Sequence, residues 1–122
     1  MTTPDDYPRA LRSAEAAATA WKTAVEHQQD AAPRHADFYA LAGEMVATLY
    51  ALDDLTVVLG RQVGNYGQGR ALYDDTRTVD PADRLTEAVE SLRAVHTALG
   101  VVTPAMHAFW NAIGHIGVEA AP

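Results

Sequence analysis

Residues 35–63 read HADFYALAGEMVATLYALDDLTVVLGRQV, and the pattern of this stretch decides the fold class. Its large apolar residues recur every three or four positions, which is the period of one face of an α-helix. A helix of this length extends about 40 Å. Because the apolar face is wide, we expect it to contact more than one partner helix. The residues of the stripe are Phe38, Leu41, Met45, Leu49, Leu52, Leu55, Leu59 and Val63, with Val46, Val57 and Val58 widening it.

Periodic stretches on either side of this segment predict three more helices. The first ends near Asp30, just before the helix-breaking Pro33. Another begins at Asp80-Pro81, where an aspartate can cap the helix and a proline suits its first position. We predict that it ends at Gly100.

A final helix is expected to begin at Thr103-Pro104, which repeats the signal of a capping residue followed by proline. No segment alternates polar and apolar residues in the way that strands do. The sequence therefore predicts an all-α, antiparallel four-helix bundle. It forms a single domain over residues 1–122, with a long loop between the second and third helices.

The composition excludes several classes of protein. The chain has 122 residues, 48% of them hydrophobic, a formal net charge of -7 and no cysteine. Such a negative charge disfavours nucleic-acid binding, and without cysteine there is neither a disulfide framework nor a cysteine-based zinc site. The apolar runs are short and interrupted, so we expect no membrane association and a cytoplasmic location.

The loop between Gly64 and Asp80 is the first candidate binding region. It contains Tyr66, Arg70 and Tyr73, whose side chains could dock a partner or a small ligand, but it lacks the context of a phosphate-binding loop. A guanidinium is best used as a planar fork, so we predict that Arg70 pairs with a carboxylate. The candidate carboxylates are Asp53, Asp54, Asp74 and Asp75.

The C-terminal segment is the second candidate binding region. His107, Asn111 and His115 are spaced four residues apart and form one polar line along a helix, beside the large ring of Trp110. Neither Glu-x-x-His nor His-Glu-x-x-His occurs, so no metal or other cofactor is expected. Apolar neighbours occupy much of this helix. We therefore predict that the polar line is partly buried and held by hydrogen bonds.

Four segments together resemble small helical proteins of high-GC actinobacteria. They read LDDLT at 52–56, YGQGR at 66–70, DPADRL at 80–85 and FWNAIGHIG at 109–117. The resemblance covers the chain from the second half of the second helix to the C-terminus. It implies no activity and suggests that the loop and the C-terminal segment belong to one design.

These observations favour a non-enzymatic module for protein interaction or regulation. Its wide apolar helix faces predict self-association as a homodimer, with a further protein partner as a possibility. The alternative is a bundle that binds or converts a small molecule, using the loop at 64–80 and the C-terminal helix.

Overall fold

The computed structural model describes residues 7–120, and its regular structure is entirely helical. The three helices of this part of the chain are α1 (Arg9–Gln29), α2 (His35–Gly64) and α3 (Pro81–Gly114). The prediction of an all-α fold is therefore confirmed. The predicted number of four helices is wrong.

The missing boundary lies inside α3, which continues through Gly100 and Pro104 to Gly114. Pro104 has no N–H to donate, and its ring crowds the carbonyl four residues earlier, which belongs to Gly100. Gly100 and Pro104 do not end the helix, because half-buried side chains lie on the same face of α3 before and after them. Leu99, Thr103 and Met106 are such side chains. Packing along the whole helix therefore outweighs the local signal for a break.

The described residues divide into two compact units, one that ends at Arg34 and one that begins at His35. In the first unit, α1 begins at Arg9 and ends at Gln29, with Asp30 as its C-cap, so the predicted end near Asp30 is confirmed. The capping residues considered for its start lie outside the described residues. The Tyr7 hydroxyl donates a hydrogen bond to Glu15, two turns along the helix, and this bond raises the pKa of the tyrosine.

The second unit is an antiparallel hairpin of α2 and α3. The start of α2 lies beside the end of α3, where the rings of Tyr39 and Trp110 are 5.6 Å apart. The end of α2 lies beside the start of α3, where a Cβ on Gly64 would lie 3.8 Å from Val89. At 1.5 Å per residue, the two helices extend about 45 and 51 Å. The hairpin is thus long and only two helices wide.

The loop of residues 65–80 connects these helices, and its last residue, Asp80, caps the N-terminus of α3. The Asp80 carboxylate accepts a hydrogen bond of 2.9 Å from the backbone N–H of Ala82, and Pro81 occupies the first helical position. This cap satisfies one of the free backbone donors at the helix N-terminus. Both features agree with the prediction from Asp80-Pro81.

Glycines allow the two helices to approach closely at the open end of the hairpin. A Cβ added to Gly43 would lie 3.2 Å from the indole of Trp110, and one added to Gly114 would lie 3.0 Å from the ring of Tyr39. Each aromatic ring therefore packs against the backbone of the other helix. Larger residues at Gly43 or Gly114 would push the helices apart.

Little apolar surface is buried within the hairpin itself. Among the described residues, only Ala42 and Val46 are apolar and buried. Larger apolar side chains in both helices are half-exposed or exposed. Within this unit, each helix has only the other to pack on, so the outward sides of the two apolar stripes are not covered by the unit itself.

Candidate functional site

The first part of the candidate site is a line of apolar side chains along α2. Met45, Leu52 and Leu59 recur every seven residues and are 42%, 47% and 37% exposed. Each immediately precedes a residue that is buried or half-buried in the hairpin, namely Val46, Asp53 or Gly60. The line therefore lies about 100° around the helix from the side that faces α3.

A matching line lies along α3. Val95, Val102 and Phe109 also recur every seven residues and are 46%, 43% and 48% exposed. Val95 precedes His96, which bonds to Asp53 of α2, and Phe109 precedes Trp110, which packs on Tyr39. This line too lies about 100° around its helix from the side that faces α2.

The two lines lie on the same side of the hairpin. On each helix, the residues of the line come one position before residues that face the other helix. The two helices run in opposite directions. The same rotation on antiparallel right-handed helices moves both lines to one side. We call this surface the apolar flank and define it by Met45, Leu52, Leu59, Val95, Val102 and Phe109.

The apolar flank is a large apolar patch for a single chain, and patches of its size are often functional. Its six side chains expose on the order of 500 Å², which is comparable with the largest apolar patches of monomeric proteins, about 300–600 Å². A repeat of seven residues is the period with which one helix packs along another in a left-handed coiled coil. The geometry of the flank therefore fits a helical partner.

The charge pattern of α3 supports the same assignment. From Ala94 to Gly114, the helix contains no aspartate, glutamate, lysine or arginine. Small alanines, such as Ala98, Ala105 and Ala112, accompany the large residues of the flank. A helix segment that lacks charge on every side is typical of one that is covered on more than one side.

Two arginines of the loop stack on Tyr66 and Tyr73, the tyrosines that the sequence marks as candidate binding residues. The Arg70 guanidinium lies 4.4 Å from the ring centre of Tyr66 and donates a 3.0 Å hydrogen bond to the backbone oxygen of Tyr66. Arg77 stacks in the same way on Tyr73, at 4.1 Å. The predicted pairing of Arg70 with an aspartate is therefore wrong. Its own tyrosine lies one helical turn earlier and offers both a ring face and a carbonyl.

Arg84 of α3 takes the role that the sequence suggested for Arg70. Its Nε donates a 2.8 Å hydrogen bond to Asp74, whose side chain is only 3% exposed. Asp74 also accepts hydrogen bonds from the backbone N–H and the hydroxyl of Thr76. These bonds, first that of the hydroxyl and then that of the guanidinium, lower the pKa of Asp74 to about 2. They fasten the loop to the first turns of α3.

We predict that Asp74 makes the hairpin sensitive to strong acid. Because its pKa is lower in the folded chain than the ordinary value of 3.8, its stabilising contribution is complete above about pH 4 and is lost as the pH falls toward 2. Asp74→Asn is expected to lower the melting temperature at neutral pH and to flatten its dependence on pH between 4 and 2.

The matched control for this experiment is Asp75→Asn, because Asp75 is the exposed neighbour of Asp74. It removes the same charge from the same loop without breaking the bond to Arg84. Equal acid dependence of the wild type and Asp74→Asn in thermal melts would contradict the assignment.

The polar line of the C-terminal helix is exposed, contrary to the prediction that it is partly buried. His107, Asn111 and His115 all lie at the surface and, with Trp110, line part of a cavity of about 350 Å³. Within the hairpin unit, α3 packs only on α2, so no other helix of that unit covers the line. His107 does have a partner, since its Nε2 lies 2.9 Å from the Tyr50 hydroxyl.

Sequence reasoning missed a second polar contact between the helices. The half-buried Asp53 carboxylate lies 2.5 Å from Nδ1 of His96, whereas an arginine was the expected type of partner. The signal was present, since both residues adjoin the apolar stripes of their helices. Within residues 7–120, no group of three histidine or acidic side chains is arranged to share a metal ion.

Comparison with known proteins adds no family to this description. None of the helices in the described part of the chain is long and apolar enough to cross a membrane. No family model, no curated protein and no solved structure matches the chain.

Proposed function

We propose that this protein is a self-associating interaction module and that its apolar flank is the surface through which it acts. The observation that supports this most strongly is the pair of exposed lines with a seven-residue period on one side of the hairpin. A surface of this kind binds another helix through apolar packing, and this role involves no catalysis.

The occupant that we propose for the flank is the flank of a second copy. One hairpin supplies two helices, and two hairpins packed flank to flank supply the four helices of a bundle. A twofold axis makes the same patch meet itself, so both lines find apolar partners at once. The four-helix bundle that the sequence predicts within one chain would then form between two chains.

The size and charge of the flank suit this assembly. Two copies of the flank present on the order of 1,000 Å² of apolar surface, which is about the smallest area of a specific protein interface. Covering this surface removes it from water, and that gain opposes the loss of translational and rotational freedom on association. Since each chain has a net charge of -7, the absence of charge from the flank keeps this repulsion away from the contact.

The test is the mass of the wild-type chain in solution. We expect light scattering to give twice the chain mass of 13.1 kDa at micromolar concentration, with dissociation only on strong dilution. A mass of one chain across a hundredfold dilution series would overturn the proposal.

A further inference from the structure

The side of the hairpin opposite to the apolar flank contains a polar groove between α2 and α3. A cavity of about 310 Å³ lies in this groove, which is at the lower end of the volumes that bind small molecules. Its lining combines apolar walls with several polar side chains. The lining residues are Thr56, Val57, Gly60, Arg61, Val89, Leu92, Arg93 and His96.

Two arginines from different helices line this cavity. Arg61 belongs to the last turn of α2, and Arg93 belongs to α3. In the described part of the chain, neither guanidinium has a hydrogen bond, an ion pair or an aromatic ring as its partner. The other arginines of the hairpin do have partners: Arg84 binds Asp74 and Glu87, while Arg70 and Arg77 stack on tyrosines.

The other residues of the cavity leave part of its wall open and supply one further polar atom. A Cβ added to Gly60 would meet no atom within 4 Å, so the wall next to Arg61 is open. His96 presents a second ring nitrogen, because its Nδ1 is already held by Asp53. Two acidic groups lie nearby: Asp53 is engaged by His96, and Glu90 lines the adjoining cavity that Arg93 also lines.

We propose that this cavity binds a small oxyanion, a phosphate or carboxylate group carried by a small molecule. Guanidinium groups match the planar pairs of oxygens in both anions and form their strongest hydrogen bonds with them. Two such groups from opposite helices would clamp the anion from both sides. The bound anion would also hold the end of α2 against α3.

This site is independent of the proposed self-association. Arg61 follows Leu59 by two residues, and Arg93 precedes Val95 by two residues. A separation of two residues is about 200° around a helix, so the arginines lie on the side away from the flank. A dimer formed through the flank leaves the groove open.

Thermal unfolding in the presence of inorganic phosphate, and separately of citrate, tests the proposal. The reference is sodium chloride at the same ionic strength. We expect phosphate, citrate or both to raise the melting temperature of the wild type beyond the chloride reference, because a ligand that binds only the folded state stabilises it. Titration calorimetry then measures the affinity.

The arginine variants give the decisive comparison. Arg61→Gln and Arg93→Gln are each expected to weaken anion binding about tenfold or more, since each removes charge-assisted hydrogen bonds. Arg70→Gln, which changes an arginine already stacked on Tyr66, is the matched control and retains binding. Unchanged helicity and mass show that a loss comes from the cavity.

Two results would overturn the anion site while leaving the self-association proposal intact. The first is no stabilisation of the wild type by either anion beyond chloride. The second is equal stabilisation of the wild type and of the chain with both Arg61→Gln and Arg93→Gln. A wild-type mass of one chain in light scattering would instead count against self-association through the apolar flank.

Discussion

Val102→Glu is expected to convert the dimer into separate chains. Val102 lies in the middle of the α3 line of the apolar flank and is 43% exposed in the hairpin alone. Flank-to-flank packing would cover it, and the twofold symmetry would place two unpaired carboxylates in the same interface. We expect dissociation to become at least about a hundredfold easier, measured as the concentration at which the mass falls to one chain.

The control for this variant is Val101→Glu. Val101 is the next residue of the same helix, points about 100° away from Val102 and is already 71% exposed. The substitution has the same chemistry and the same effect on helix propensity, so it is expected to leave the dimer mass unchanged. Equal masses for the two variants across the dilution series would argue against the flank as the interface.

Trp110→Ala is expected to destabilise the hairpin more than any other single truncation. The Trp110 indole packs against the backbone of α2 at Gly43 and against the ring of Tyr39. It is half-buried, so we expect a loss of about 3 kcal/mol in the free energy of unfolding, the lower end of the cost for large aromatic residues. Chemical denaturation followed by circular dichroism measures this loss.

Trp110→Phe separates packing from hydrogen bonding at the same position. The Trp110 Nε1 atom is buried and has no hydrogen-bond partner among the described residues, so replacing the indole with a phenyl ring sacrifices no bond. We expect a cost much smaller than that of alanine. If the alanine variant unfolds at the same denaturant concentration as the wild type, the aromatic contact does not hold the open end of the hairpin.

Much of the secondary structure follows from the sequence alone. The long apolar period predicts α2 from about His35 to Val63, and the helix ends one residue later, at Gly64. Asp80 and Pro81 predict the start of α3, because capping and proline geometry are local effects of a few residues. The stripe that predicted contact with several helices is the same stripe that leaves Met45, Leu52 and Leu59 exposed.

The error in helix number shows where local rules lose to packing. Gly100 and Pro104 are both strong helix breakers, and treated separately they predict two helices. The apolar positions from Leu92 through Leu99 and Met106 to Ile113 keep one seven-residue period across both of them. That continuity is visible in the sequence and indicates one helix packed along its whole length.

The side-chain partners could not be predicted because they depend on tertiary contacts. Arg70 and Arg84 both lie near several aspartates in sequence, yet only Arg84 reaches Asp74. The choice depends on how the loop folds back over the first turns of α3. Likewise, the exposure of His107 follows from a hairpin unit in which α3 has one neighbouring helix, whereas the predicted bundle would give it three.

The central claim is that two copies pack through their apolar flanks, and an inter-chain distance tests it most directly. The chain has no cysteine, so Ala98→Cys and Thr97→Cys each accept a single spin label. Position 98 lies on the flank side of α3, and position 97 lies on the groove side. Pulsed electron paramagnetic resonance is expected to show dipolar coupling between the labels of the two chains at both positions. The label-to-label distance at position 98 is expected to be about 10 Å or more shorter than that at position 97, given helix spacings of about 8–10 Å. No inter-chain coupling, or a shorter distance at 97 than at 98, would contradict the account.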